Sequence, residues 1–270
     1  MAADELMSAE IPSLFRLEGC TAFVSGAAGH LGGAMARILC EAGAHVILNG
    51  RDDARLKRFQ GELDKNFSTE IAAFDVADFK ASERFFAARP RLDVLVNNAI
   101  AMTPAPITEL TPQAFDETYR SSVTAAFTAS RAALPALRAA AAANGSASII
   151  NISSMYGLVS PDARIYDNPD HASPLHYGPA KAALLQLTRH LAAEFGKDNI
   201  RVNALVPGPF PRDGVAASDP AFAQRLGAKT MLGRTGKAEE IAGPLLFMAS
   251  RASSYVTGTA LTVDGGWTAW

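Results

Sequence analysis

A chain of 270 residues, 49% hydrophobic and 19% charged, carries enough apolar material for one substantial core and has the composition of a soluble globular protein. Its formal net charge of −2 supplies no general electrostatic drive toward nucleic acid or an acidic membrane. Two cysteines, Cys20 and Cys40, exclude a disulfide framework and read as buried free thiols. The opening MAADELMSAEIPS holds acidic but no basic residues, unlike a signal or transit peptide, and every apolar run is broken before it spans a bilayer. The expectation is a cytoplasmic protein with an N-terminal extension over 1–16 and one domain over 17–270.

In chain order, short β-like apolar runs alternate with longer helical patterns. The first run is CTAFVS (20–25), and SGAAGHLGGAMARIL follows it into a helix over 31–42. Gly26, Gly29 and Gly32 recur every third residue in this strand-to-helix turn. Glycines there permit a tight turn, bring backbone amides close to a pyrophosphate, and let the helix pack against the sheet. The helix start favours an anion through its free amides, which places Gly26, Ala28, His30 and Leu31 beside a dinucleotide. The bland reading of His30 is packing at the helix start.

The second run, AHVILN (44–49), ends in Gly50-Arg51, with no carboxylate where an NAD site holds the ribose diol. Gly50 leaves room and Arg51 offers a planar cation to a 2′-phosphate, so the expected cofactor is NADP. The competing reading makes Arg51 a solvated start to the helix over 52–65. After the third run, STEIAAF (68–74), Asp75-Val76 reads equally well as an adenine contact or as a cap for the helix over 78–88. The fourth run, LDVLVNN (92–98), brings Asn98 and Ala99 to the adenine and ribose side. A long helical stretch over 112–142 follows, with a bend expected at Pro135.

The fifth run, SASIINI (146–152), leads to Ser153 and Ser154. The 22 residues from Met155 to His176 are rich in Pro, Asp, Asn and His and read as a loop. The helix over 176–196 then carries Tyr177 and Lys181 four residues apart, on one helix face, as a proton-transfer pair requires. The sixth run, IRVNALV (200–206), enters Pro207-Gly208 and a Pro/Gly loop with a short helix (208–222). A helix over 237–250 and the run ALTVD (260–264) complete the pattern. Near-continuous apolar strands alternating with helices argue for a doubly wound parallel α/β sheet, covered on both faces.

The glycine turn at 26–32, NNA at 97–99, Ser154, Tyr177-x-x-x-Lys181, IRVNALVPG at 200–208 and VDGG at 263–266 together resemble the short-chain dehydrogenase/reductase family, in its classical branch. Within the family the chain is most similar to sugar-acid dehydrogenases of the gluconate 5-dehydrogenase kind, through VILNGR, VPGPFP and VDGGWTAW. The resemblance implies a single-domain Rossmann fold with a seven-stranded parallel sheet, a nicotinamide cofactor, carbonyl–alcohol redox and a homotetramer. It implies Tyr177 as general acid in reduction and base in oxidation, and Lys181 on the nicotinamide ribose and beside the phenol. Ser154 orients the substrate oxygen, and Pro207-Gly208 turns the chain beside the nicotinamide. No metal is implied, and the histidines form no short ligand cluster.

Several residues depart from the family pattern. Ser25 takes the Thr place and His30 the middle Gly, so the turn also fits the GxxGxxG spacing of epimerase-like members. Ile100 replaces the Gly of NNAG. Ser122 stands where a catalytic Asn normally holds a water near Lys181, and Arg212 replaces a hydroxyl residue.

Substrate loops are expected over about 155–176 and 208–228, with Tyr156, Arg164, Tyr166, His171, His176 and Arg212 as candidate contacts. Arg212 can pair with a carboxylate, favouring a small polar or sugar-acid-like ketone. Rival readings are an epimerase with tightly held NAD, a 3-oxoacyl-type reductase, and a weakened cofactor-binding protein. Trp267 and Trp270 read as subunit contacts or as core cover.

Overall fold

Seven parallel strands in the order β3-β2-β1-β4-β5-β6-β7 form the centre of the computed structural model, which describes residues 11–167, 172–212, 214 and 218–270. The strands are β1 (Thr21–Ser25), β2 (His45–Gly50), β3 (Thr69–Ala73), β4 (Val94–Asn97), β5 (Ala147–Ile152), β6 (Ile200–Pro207) and β7 (Ala260–Val263). Each matches an apolar run of the sequence. The main helices are α1 (His30–Glu41), α2 (Asp53–Glu62), α3 (Phe79–Ala87), α4 (Pro112–Tyr119), α5 (Ala125–Ala132), α6 (Leu134–Asn144), α7 (Tyr177–Phe195), α8 (Pro220–Ala228) and α9 (Ala242–Ala249).

The strands are apolar along their length because successive side chains enter two different cores. Ala22, Val24, Val46, Leu48, Val94 and Val96 pack with Met35 and Leu39 of α1 and Leu245 and Met248 of α9. Their neighbours Phe23, Ile47, Leu95 and Ile149 face the other way, onto Phe86 of α3, Leu137 of α6 and Leu191 and Phe195 of α7. Burying one such large side chain contributes about 1.5–3 kcal/mol.

The expected helix over 112–142 is interrupted twice. A single π-turn at Arg120–Thr124 separates α4 from α5, and Ala133 separates α5 from α6, whose first turn contains Pro135. Proline fits that position because the first turn has no intrahelical partner for its missing N–H. Among the described residues no helix is long and apolar enough to cross a membrane.

The chain leaves β1 toward β2 on one side and returns through β4 on the other. At the carboxyl ends of β1 and β4 the two directions part, which opens a crevice.

Candidate active site

That crevice is a cleft of about 570 Å³. Its floor is the glycine turn. Gly26 has φ +65, a left-handed conformation that favours glycine. A Cβ on Gly32 would lie 2.0 Å from the Gly26 carbonyl oxygen, so α1 backs directly onto the turn. Gly29 caps α1 without a side-chain hydrogen bond, leaving the first amides free for an anion. Ser25 ties the turn to β4: its hydroxyl donates to the Val96 carbonyl (3.2 Å) and accepts the Asn98 and Ala99 amides (2.8 and 3.0 Å). The Asn98 side-chain amide donates back to the Ser25 carbonyl at 2.8 Å. Gly26, Ala28, His30, Leu31, Asn98 and Ala99 all line the cleft, an arrangement that fits a dinucleotide pyrophosphate and its ribose.

At one end lie Gly50, Arg51, Asp75 and Val76. Asp75 does not cap α3; Asp78 does, by accepting the Ala81 amide. Asp75 accepts the Ala77 amide at 2.9 Å and stands 4.0 Å from the Arg51 guanidinium. Asn49, one residue before Gly50, is buried and bridges to β3 through the Ala72 and Phe74 carbonyls. Arg55 also faces this end, a position that a helix-surface reading of RDDARLKRF does not reveal.

Ser154, Tyr177 and Lys181 meet at the other end. The turn Met155–Gly157 packs onto the first turns of α7, and two glycines make this possible. A Cβ on Gly157 would lie 2.9 Å from the Lys181 carbonyl carbon, and one on Gly178 would lie 2.9 Å from the Tyr156 carbonyl oxygen. Ser153 and Ser154 have distinct roles: the Ser153 hydroxyl donates to the Lys181 carbonyl at 2.8 Å, whereas Ser154 Oγ accepts the Tyr156 amide at 3.2 Å. Burial raises the Tyr177 phenol above its ordinary pKa, and the Ser154 hydroxyl draws it back down. Lys181 Nζ donates to the Ile152 carbonyl at 2.8 Å and lies 5.6 Å from the Tyr177 ring centroid. Burial lowers the Lys181 ammonium to about 8.

Ser122 is not at this site. It lies in the π-turn, buried, and its hydroxyl is spent on the Thr118 carbonyl at 2.7 Å. The preceding Ser121 lines the cleft instead, with its hydroxyl bracketing the amide and carbonyl of Ala101. Arg120–Thr124 coils as a π-turn, and in that register Ser121 rather than Ser122 lines the cleft.

On the substrate side, Pro207, Gly208, Phe210 and Arg212 line the cleft. Three expected contacts, Tyr156, Arg164 and His176, do not line it. The Tyr156 hydroxyl pairs with that of Tyr166 at 3.1 Å, and its ring meets Trp267 edge-on. Arg164 is 86% exposed and grips Asp162, which that guanidinium and Lys229 together hold well below the usual carboxylate range. His176 is fully buried with both ring nitrogens unpartnered, and burial lowers its pKa. His171 lies outside the described residues. Residues 155–167 are a packed element rather than an open loop: Met155, Ile165, Leu226 and Trp267 form a small core with Tyr166 and Phe222. Arg225 fastens it to α8 through the Ile165 carbonyl and Asp167, both at 2.7 Å.

A family model described as Enoyl-(Acyl carrier protein) reductase matches residues 26–268. The chain belongs to the short-chain dehydrogenase/reductase family. Galactitol 2-dehydrogenase (L-tagatose-forming) of Cereibacter sphaeroides is 36% identical over 266 residues, 96% of this chain and 98% of that protein. The rhamnolipids biosynthesis 3-oxoacyl-[acyl-carrier-protein] reductase of Pseudomonas aeruginosa is 32% identical over 258 residues, 93% of this chain and 97% of the relative. Among solved structures, the Pseudomonas aeruginosa RhlG/NADP active-site complex superposes with a TM-score of 0.85 at 31% identity, covering 95% of this chain and 99% of the other. A gluconate 5-dehydrogenase from Burkholderia cenocepacia in complex with NADP and tartrate superposes with a TM-score of 0.81 at 31% identity, covering 97% and 100%.

As a short-chain dehydrogenase/reductase, the protein keeps serine, tyrosine and lysine on one wall of one cleft. Among the described residues no grouping of His, Cys, Asp and Glu is suited to hold a metal ion.

Proposed function

We propose that the protein is an NADP-dependent oxidoreductase that interconverts a secondary alcohol and a ketone on a small polar substrate of the sugar-acid kind. The observation that carries the reading is one cleft lined at one end by the glycine turn and Arg51, and at the other by Ser154, Tyr177, Lys181 and Arg212. NADP is supported by Arg51 at the end of β2 and by the NADP held in two similar solved structures. Bound NADPH would supply the hydride. Tyr177 donates its phenolic proton to the forming alkoxide, Ser154 Oγ orients the carbonyl oxygen, and the Lys181 ammonium stabilises the phenolate left behind.

A carboxylate on the substrate is supported by Arg212, an exposed guanidinium on the cleft wall, and by the gluconate activity named for a similar structure; the galactitol activity named for another relative supports the polyhydroxylated part alone. A 3-oxoacyl activity is the second reading, favoured by the similar Pseudomonas reductase. The test is a panel of keto-sugar acids, uncharged keto-sugars and 3-oxoacyl thioesters with NADPH, for wild type and Arg212→Ala. The expected result is preference for keto-sugar acids, with kcat/KM about tenfold lower in the variant for charged substrates only. Preference for long acyl thioesters sinks the sugar-acid reading. Tightly retained NAD with no net change in reduced-nicotinamide absorbance would favour an epimerase.

A homotetramer belongs to the same proposal. Trp267 is buried in the small core, but Trp270 is 73% exposed and Tyr255 projects fully into solvent, apolar surface that a partner subunit would cover. Sedimentation equilibrium checks this, with four protomers expected and a concentration-independent monomer as the contrary result.

A further inference from the structure

The adenosine end of the cleft holds two arginines, and they are held differently. Arg51 follows β2, has a guanidinium 68% exposed, and stands at 4.0 Å from Asp75. Arg55 sits in the first turn of α2, where Asp52 caps the helix by accepting the Arg55 amide at 3.0 Å. The Arg55 side chain turns back over the corner between β2 and α2 and grips the Ala28 carbonyl of the glycine turn with Nε (3.1 Å) and Nη2 (2.8 Å). That bidentate contact fixes the guanidinium plane against the cleft. It engages one N–H of Nε and one of Nη2, so the guanidinium keeps three further N–H donors, and its acceptor is a neutral carbonyl. The nearby carboxylates are otherwise engaged: Asp52 caps the helix, and Asp53 pairs with Lys57 at 2.6 Å.

We propose that Arg55 is a coenzyme-selecting residue, a pre-positioned second cation that grips the 2′-phosphate of NADP alongside Arg51. The proposal rests on the NADP reading above. Charge makes the second cation necessary. Asp52 and Asp75 both line this end of the cleft, so Arg51 alone would face two carboxylates and a phosphate carrying nearly two negative charges. With Arg55 present the two guanidinium groups balance the two carboxylates, and their donors can meet the phosphate oxygens in planar, charge-assisted geometry. Arg55 also brings its cation already ordered, whereas the loosely held Arg51 side chain must lose its freedom on binding.

A purely structural role for Arg55 is distinguishable. If the residue only clamped the glycine turn, its loss would deform the pyrophosphate cradle, which NADPH and NADH share. A phosphate contact is felt by NADPH alone. The experiment is fluorescence titration of the full-length protein with NADPH, NADH and 2′,5′-ADP, in wild type, Arg55→Ala and Arg55→Lys, with circular dichroism to establish that each variant is folded. For Arg55→Ala the expected result is a Kd for NADPH and 2′,5′-ADP raised about 10- to 100-fold, with the Kd for NADH unchanged within about twofold. Arg55→Lys, which keeps the charge but cannot hold the Ala28 carbonyl and the phosphate together, falls in between; it decides the matter should Arg55→Ala not fold. Equal losses for NADPH and NADH, or no loss for either, overturn the proposal. A wild-type protein that binds NADH more tightly than NADPH overturns the NADP reading and this proposal with it. Wild-type preference for NADPH that survives intact in Arg55→Ala removes Arg55 alone.

Discussion

Tyr177→Phe is expected to lower kcat for carbonyl reduction by about 10²- to 10⁴-fold, the usual worth of a positioned general acid, while leaving NADPH binding unchanged. The substitution removes one oxygen from a ring that stays packed on the same helix turn, so cleft shape and glycine turn survive. Reduced-nicotinamide absorbance follows the rate, and fluorescence titration follows binding. Near-wild-type turnover with NADPH bound would show that the proton comes from elsewhere. The wild-type pH profile bears on the same assignment. Burial holds the phenol protonated in the ligand-free protein, with Ser154 as the opposing influence. Reduction, which needs the phenol protonated, is therefore expected to fall off only toward high pH, whereas oxidation, which needs the phenolate, is expected to rise with pH over the same range.

Lys181→Met is expected to abolish most turnover and, in the ligand-free protein, to stabilise the fold. Lys181 is 3% exposed and its ammonium is lowered from 10.5 to about 8 by burial. A shift of this size corresponds to an upper bound of about 3 kcal/mol against folding at neutral pH. Below about pH 8 both folded and unfolded chains carry the charge, and the penalty is complete. Between about 8 and 10.5 the folded chain has released the proton and the unfolded chain still holds it, so this contribution to stability rises with pH. Cys20 and Cys40 work in the opposite sense above about pH 9, because burial raises both thiols to about 11. The difference between wild type and variant cancels the cysteine contribution. Urea unfolding at pH 7 and at pH 10 should show the variant more stable at pH 7 and its advantage shrinking at pH 10. An advantage independent of pH would mean that the packing of the methionine, not the removal of a buried charge, is responsible.

The doubly wound sheet was legible because burial on both faces makes each strand apolar throughout, and that signal is local. The Tyr177 and Lys181 spacing and the glycine turn were legible for the same reason, since each occupies a few consecutive residues. What escaped depends on distant partners. Ser122 follows the family's helical register, but the π-turn rotates it onto the Thr118 carbonyl and presents Ser121 to the cleft. The stretch after Ser154 has the composition of a loop, yet Ile165 and Tyr166 find their apolar partners at Phe222, Leu226 and Trp267. Arg55 lies on a charged helix surface in the sequence, and only the return of its side chain to Ala28 places it at the cofactor end. Gly157 and Gly178 carried no motif, although their bare backbones let the serine turn approach the tyrosine helix.

The small core beneath the substrate side has an evolutionary and practical consequence. Residues 155–167, α8 and the C-terminal tail meet in one small core, to which they contribute Met155 and Ile165, Leu226, and Trp267 respectively. Exchanging either segment alone between homologues would leave apolar side chains without partners, so the two segments and the tail are expected to transfer only together. Trimming the C-terminus back past Trp267 is expected to open this small core first, before any strand of the sheet is disturbed.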